Sequence, residues 1–164
     1  SDLACGFEDG QILCGWQNQV GNDTLEWRKG QGASGNPTSG PTSAFVGSQY
    51  AIVSSVGRAA GDTAVLSTIS SVVVSSSSSC VKFWRHMYGT GMGSLQIQVQ
   101  VAPSPAWATV WSVSGNTPTN AWILSGVDLA AYSNLAVRLR LVATLGGASS
   151  DIAIDGFSVT SCAC

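Results

Sequence analysis

An antiparallel all-β fold, a sandwich or barrel rather than a layered α/β protein, is predicted by three features of this sequence. Several short segments alternate strictly between apolar and polar residues, turn residues recur between them, and helical start signals are nearly absent. A pleated strand sends successive side chains to opposite faces, so residues two apart line one surface. Leu95, Ile97, Val99 and Val101 do so with Gln96, Gln98 and Gln100 between them. Leu135, Val137, Leu139 and Leu141 repeat the pattern against Ala136, Arg138 and Arg140, which gives a second strand with one buried and one wet face. At 164 residues the chain is long enough for one self-sufficient core, so a single domain over 1–164 is expected.

In chain order, strands are expected at 25–29, 49–54, 64–67, 81–88, 95–101, 109–114, 122–125, 135–141 and 152–160. The segment 30–43 is rich in glycine, proline and small polar residues and reads as a loop, as does 70–79 with its run of serines. Within 81–88, Phe83 and Met87 share one face, and Trp84, His86 and Tyr88 share the other. We read this strand as the hairpin partner of 95–101, with Gly89, Gly91 and Gly93 forming the turn, because glycine tolerates positive φ. In the last strand Ile152 and Ile154 lie on one phase and Phe157 and Val159 on the other, so a bulge at Gly156 is expected.

Composition excludes several functions. Seven lysines and arginines stand against nine acids with no basic run, so nucleic acid has no electrostatic footprint to bind. No stretch approaches the length needed to span a bilayer, and no basic-then-apolar opening marks a leader; the chain reads as a piece of a longer, processed protein. The glycines of Gly89-Thr90-Gly91-Met92-Gly93 precede a strand, not the helix a phosphate cradle requires. Catalysis is not expected: His86 is the sole histidine, and no serine elbow or zinc-protease motif accompanies it.

The five cysteines are Cys5, Cys14, Cys80, Cys162 and Cys164. They lack the paired C-x-x-C spacing of zinc knuckles, and in a serine- and glycine-rich β chain they suit disulfides in an oxidising compartment. The odd count leaves one thiol over. Asn22-Asp23-Thr24 is an N-glycosylation sequon, so Asn22 is the expected acceptor in a secreted chain. Glu8, Asp9, Asp23 and Asp155 stand out in a chain with 10% charged residues; such oxygens either ligate a hard cation or accept backbone N–H bonds.

Seven local signatures then fall in one order: CGFEDGQILCGW from Cys5, LEWRKGQGA from Leu25, GPTS from Gly40, CVKFWRHMYGTGMGSLQIQV from Cys80, VWSVSGN from Val110, AWILSGVDL from Ala121 and DIAIDGFSVTSC from Asp151. Together they resemble the MAM domain, an extracellular module, across essentially the whole chain. The resemblance implies a two-sheet antiparallel β-sandwich of jelly-roll type, stabilised by disulfides. One would join Cys5 to Cys14 and the other Cys80 to a terminal cysteine, Cys162 being favoured and Cys164 the alternative partner or free thiol. In the chain-entropy description, closing a loop of roughly eighty residues stabilises by about 4 kcal/mol. A structural Ca²⁺ (or Na⁺) is also implied, with Glu8, Asp155 and more weakly Asp23 as ligands. Related domains usually carry an acidic residue and then His-Thr after the GPS-like motif. Here the chain reads Ala44-Phe45-Val46, so one oxygen donor is missing.

The function expected from the resemblance is a non-catalytic extracellular recognition module. It would mediate cell adhesion or contact with other extracellular proteins, including self-association, within a larger secreted or cell-surface protein. Two alternatives are a carbohydrate-binding jelly-roll module, with Trp107, Trp111 and Trp122 as the available sugar platform for glycans, and an accessory domain of an extracellular protease.

Overall fold

The computed structural model describes residues 4–8, 14–19, 21, 23–75, 80–160 and 164. Its strands are β1 (Trp16–Asn18), β2 (Arg28–Gln31), β3 (Gln49–Val53), β4 (Thr63–Thr68), β5 (Val72–Val73), β6 (Cys80–His86), β7 (Ser94–Val101), β8 (Trp107–Ser114), β9 (Ile123–Asp128), β10 (Ala136–Thr144) and β11 (Ile152–Thr160). One 3-10 turn, Ala130–Tyr132, is the sole helical element among the described residues. A six-stranded sheet runs β1-β4-β10-β7-β8 with β5 beside β10, and a five-stranded sheet runs β2-β3-β11-β6-β9. All ladders between named strands are antiparallel, which is the expected sandwich.

Alternation builds the core between the sheets. Leu95, Ile97 and Val99 of β7 and Val137, Leu139 and Leu141 of β10 face Phe83, Ile152, Ile154 and Phe157 from the other sheet. Phe83 stacks on Phe157 and meets Trp111 edge-on, so β6, β11 and β8 are pinned by aromatic contact. The expected bulge is present: the register of β11 against β6 shifts between Asp155 and Ser158, with Gly156 at φ 56°.

Three expectations need correction. First, β6 and β7 are not a hairpin: β6 pairs with β11 and β9, while β7 pairs with β10 and β8 in the opposite sheet. The 89–93 segment therefore crosses between sheets, and Gly93 is required by close approach, since an added Cβ would collide with the Thr144 carbonyl. Second, the strand expected at 25–29 joins a ladder only from Arg28, Leu25 making a single parallel bridge to Ala64 of β4 instead. Trp27 is buried, and the Asn18 side chain bonds its N–H (2.8 Å) and C=O (2.9 Å) in place of a neighbouring strand. Third, Cys80 is joined to Cys164, with Cα atoms 5.6 Å apart, rather than to the favoured Cys162. Thr160 already stands opposite Cys80, and the terminal cysteine returns over β9, where Gly126 leaves room for it. Cys162 lies outside the described residues. Cys5 is bonded to Cys14 with Cα atoms 5.7 Å apart, and Cys5 also bridges Phe157 of β11, so this small ring holds the N-terminal segment against the last strand.

Candidate functional site

The outer face of the five-stranded sheet is roofed by the loop 32–48. Tyr50, Ile52 and Ala153 point outward from β3 and β11, yet are buried under it with Ala44 and Trp122 packed against them. The Tyr50 hydroxyl donates to the Gly32 carbonyl (2.8 Å) and the Trp122 indole to the Ser43 carbonyl (3.0 Å). His86 sits under the same roof, edge-on to Trp122 at 5.5 Å, with Nε2 paired to Asn120 Oδ1 at 2.8 Å. Burial pushes its pKa below the ordinary imidazole value, although Asn120 and the Asp151 charge oppose this.

Three carboxylates fasten the loop. Asp151 Oδ1 accepts from the Ser55 N–H and hydroxyl, both at 2.7 Å, and from the Asn36 amide at 3.2 Å. Asp155 Oδ2 accepts the N–H groups of Phe45 (2.9 Å) and Val46 (2.8 Å), and Oδ1 that of Gly156 (2.7 Å). Glu8 Oε1 accepts from Ser48 N–H (2.8 Å) and Gln49 N–H (2.7 Å), and Oε2 from the Ser48 hydroxyl (2.9 Å). Gly47 makes this clamp accessible: φ is 63°, and an added Cβ would run into the Glu8 carboxyl.

The clamp has a readable electrostatic signature. The Gln49 N–H, helped by the Ser48 groups against a burial effect, holds the Glu8 carboxyl below the usual range. Burial pushes Asp155 up, and the nearby Glu8 charge adds to this, while the Val46, Gly156 and Phe45 N–H groups pull the other way.

The expected cation ligands do not assemble. Glu8 and Asp155 meet the same loop, but Asp23 accepts the Val65 N–H (2.9 Å) on β4 and lines a different groove with Glu26, Arg28 and Arg58. Among the described residues no three His, Cys, Asp or Glu side chains converge as a metal-binding group. The oxygens of Glu8 and Asp155 are met by N–H and O–H donors, whose positive ends would repel a cation, so this loop fits carboxylates and not Ca²⁺ or Na⁺. Asp9 and the Asn22 acceptor lie outside the described residues.

What the clamp positions is an aromatic pair. With its N–H fixed by Asp155, Phe45 lays its ring on Trp84 of β6, centroids 3.7 Å apart and planes at 21°. Asp155, Trp84 and Leu124 stand side by side across β11, β6 and β9. Phe45 is 44%, Val46 43% and Leu124 51% exposed, so an apolar platform opens to solvent beside a buried carboxylate. The signal for it in the sequence was the departure from the family pattern at Ala44-Phe45-Val46. Asp151 was also missed, and its spacing from Asp155 in Asp151-Ile152-Ala153-Ile154-Asp155 was the available clue.

The three tryptophans do not form a shared sugar platform. Trp111 of β8 packs into the core against Phe83 and Trp122 lies under the loop, while Trp107, at the start of β8, stands beneath the Arg140 guanidinium, 4.3 Å from its ring centroid.

Two disulfide-pinned antiparallel sheets with a clamped, apolar surface loop define the class: a jelly-roll β-sandwich module. The match to the family described as MAM domain, meprin/A5/mu, covers residues 5–164, and the chain belongs to that family. It is 36% identical to Neuropilin-1 of Xenopus laevis over 126 residues, 71% of this chain and 12% of that protein. It is 32% identical over 165 residues to MAM domain-containing glycosylphosphatidylinositol anchor protein 1 of Homo sapiens, 94% of this chain and 17% of that protein. The chain thus spans less than a fifth of the length of these relatives. In fold it is similar to the K1 cleaved adhesin domain of Lys-gingipain from Porphyromonas gingivalis, with TM-score 0.67, 14% identity and 98% of each chain covered. It is also similar to a carbohydrate-binding module solved with β-1,4-galactotriose, with TM-score 0.60, 18% identity, and 94% of this chain and 92% of that one covered. Among the described residues no helix is long and apolar enough to cross a membrane.

Proposed function

We propose that this chain is a non-catalytic extracellular recognition module that contacts another protein, a second copy included, within a larger secreted or cell-surface protein. The observation that carries this reading is the exposed Phe45–Trp84 stack with Val46 and Leu124 beside it. Exposed apolar residues gathered on one rigid patch are costly to leave in water, and aromatic anchors supply most of the energy in protein interfaces. Because Glu8 and Asp155 hold the loop backbone, the patch is ordered before a partner arrives, which lowers the entropy lost on binding. Membership in a family that includes glycosylphosphatidylinositol anchor proteins supports the extracellular setting.

The test is bead aggregation and cell binding by the purified chain, compared with a Phe45→Ser, Leu124→Ser double variant whose melting is checked first. Loss of at least about tenfold in binding is expected, the effect of removing a hot-spot anchor. Equal binding by the folded double variant would remove the platform from the adhesive role; no binding by either protein would remove the role itself.

A further inference from the structure

The outer face of the six-stranded sheet carries a separate chemistry. Gln17 of β1, Ser67 of β4, Arg140 of β10, Gln98 of β7 and Thr109 of β8 stand opposite one another in a single row. In the adjoining row Arg138, Gln100 and Trp107 are neighbours across β10, β7 and β8. Arg138 and Arg140 are the only charged residues in the strands of this sheet.

Both guanidiniums are fixed by neutral oxygens. Arg138 donates twice to the Thr68 carbonyl, at 2.8 and 3.2 Å. Arg140 donates to Gln98 Oε1 at 2.6 Å and more weakly to Gln19 Oε1 at 3.5 Å, while lying over Trp107. Their charge is therefore positioned but not neutralised by these contacts. Beside them runs a groove of about 350 Å³ lined by Gln17, Gln19, Gln100, Trp107 and Arg138 among others.

We propose that this groove binds a saccharide bearing a carboxylate, on the face opposite the Phe45 platform and independently of it. A side-chain amide offers a donor and an acceptor together, which matches adjacent sugar hydroxyls, and several amides in register read a ring laid along the strands. The Trp107 indole lines the groove although one of its faces is taken by Arg140, and the part left open supplies an apolar surface for the C–H face of the ring. A guanidinium matches a carboxylate in shape and charge, and no acid on these strands competes for it. Side chains already held in place lose little freedom on binding, which favours a shallow site on a flat sheet. The chemistry calls for a ligand with hydroxyls, one apolar face and a negative charge; a uronic acid sugar has all three.

The experiment is an NMR titration of the isotope-labelled 164-residue chain. The probes are a tetrasaccharide of alternating glucuronic acid and N-acetylglucosamine, neutral cellotetraose, sodium acetate, and an oligoglutamate peptide. The expected result is saturable shifts at the Trp107 indole N–H and at residues 98–100 and 138–140 with the acidic tetrasaccharide. Cellotetraose should bind about tenfold more weakly, since the charged contact is lost. Arg138→Gln, Gln100→Ala and Trp107→Ala should each weaken binding by about tenfold; the first two are exchanges at a solvated face that keep the fold if Trp107→Ala does not. The proposal is overturned by the absence of saturable shifts, by an equal response to cellotetraose, acetate or the peptide, or by unchanged binding in folded Arg138→Gln and Gln100→Ala.

Discussion

The two sheets share one core but turn unlike faces outward. On the five-stranded sheet the loop 32–48 covers β3 and β11, so β3 buries Tyr50 and Ile52 on the outside as well as Ala51 and Val53 on the inside. On the six-stranded sheet nothing among the described residues roofs β7 and β10, and the middle of their outward faces is glutamine (Gln96, Gln98, Gln100) and arginine (Arg138, Arg140), with Ser94, Ala136, Val142 and Thr144 toward the ends. A roofed sheet can hold a buried histidine and buried carboxylates; an open one must satisfy its polar groups sideways, amide to guanidinium. The difference teaches that each face's chemistry follows from what covers it, and that recognition by apolar contact and recognition by hydrogen bonding can be separated onto opposite sides of one small sandwich.

The comparison can be tested through stability, starting with the element both faces share. Leu141→Ala removes a fully buried side chain from the common core and should cost about 4 kcal/mol in urea unfolding. A loss close to zero would mean the two sheets do not pack on one another as described.

Asp155→Ala acts on the roofed side only. It strips the acceptor from three N–H groups and should cost about 3 kcal/mol, with tryptophan emission moving to the red as Phe45 leaves Trp84. Unchanged emission would show that the clamp does not place the ring.

Acid should also act first on the roofed side. His86 has a lowered folded pKa, so the unfolded chain binds the proton more readily, and stability falls as pH drops from the ordinary imidazole value to the lower folded one. Glu8, whose folded pKa is also lowered, contributes stability above the ordinary carboxylate value that is lost as pH falls through its folded value. Asp155 is raised, so its protonation on acidification works in the opposite sense and partly offsets Glu8. As the only histidine, His86 gives an unambiguous NMR titration; a midpoint at or above the ordinary imidazole value would contradict its burial.

The smallest change is expected on the open face, where Gln96→Thr should alter unfolding by less than about 0.5 kcal/mol, as for other solvated strand positions. A larger loss would mean that this face is covered by something.

Much of this contrast was present in the residue pattern. Leu95-Gln96-Ile97-Gln98-Val99 alternates because one face is wet, whereas Tyr50-Ala51-Ile52-Val53 and Ile152-Ala153-Ile154 are continuously apolar because both faces are dry. The sheet partners were not legible. Alternation says which side of a strand is buried but not beside which strand it lies, so β6 and β7 looked like a hairpin although they belong to different sheets. The separation of Asp23 from Glu8 and Asp155, expected as partners in one cation site, was illegible for a related reason. Carboxylates in a charge-poor chain announce that something is held, and only the direction of the loop N–H groups identified the thing held as their own backbone.

By itself, then, the chain dictated an antiparallel all-β fold, the inward residues of β7 and those of β10 apart from Leu135, which lies 41% exposed before that strand begins, the bulge at Gly156 and, through its motifs, its kinship with MAM domains; side-chain period and turn chemistry are local properties that survive without coordinates. Folding decided the pairing order, the choice of Cys164 for Cys80, and the meeting of Phe45 with Trp84 across a loop. Those outcomes depend on which distant segments fill the same space, and a contact between residues far apart in sequence leaves no periodic trace in either of them.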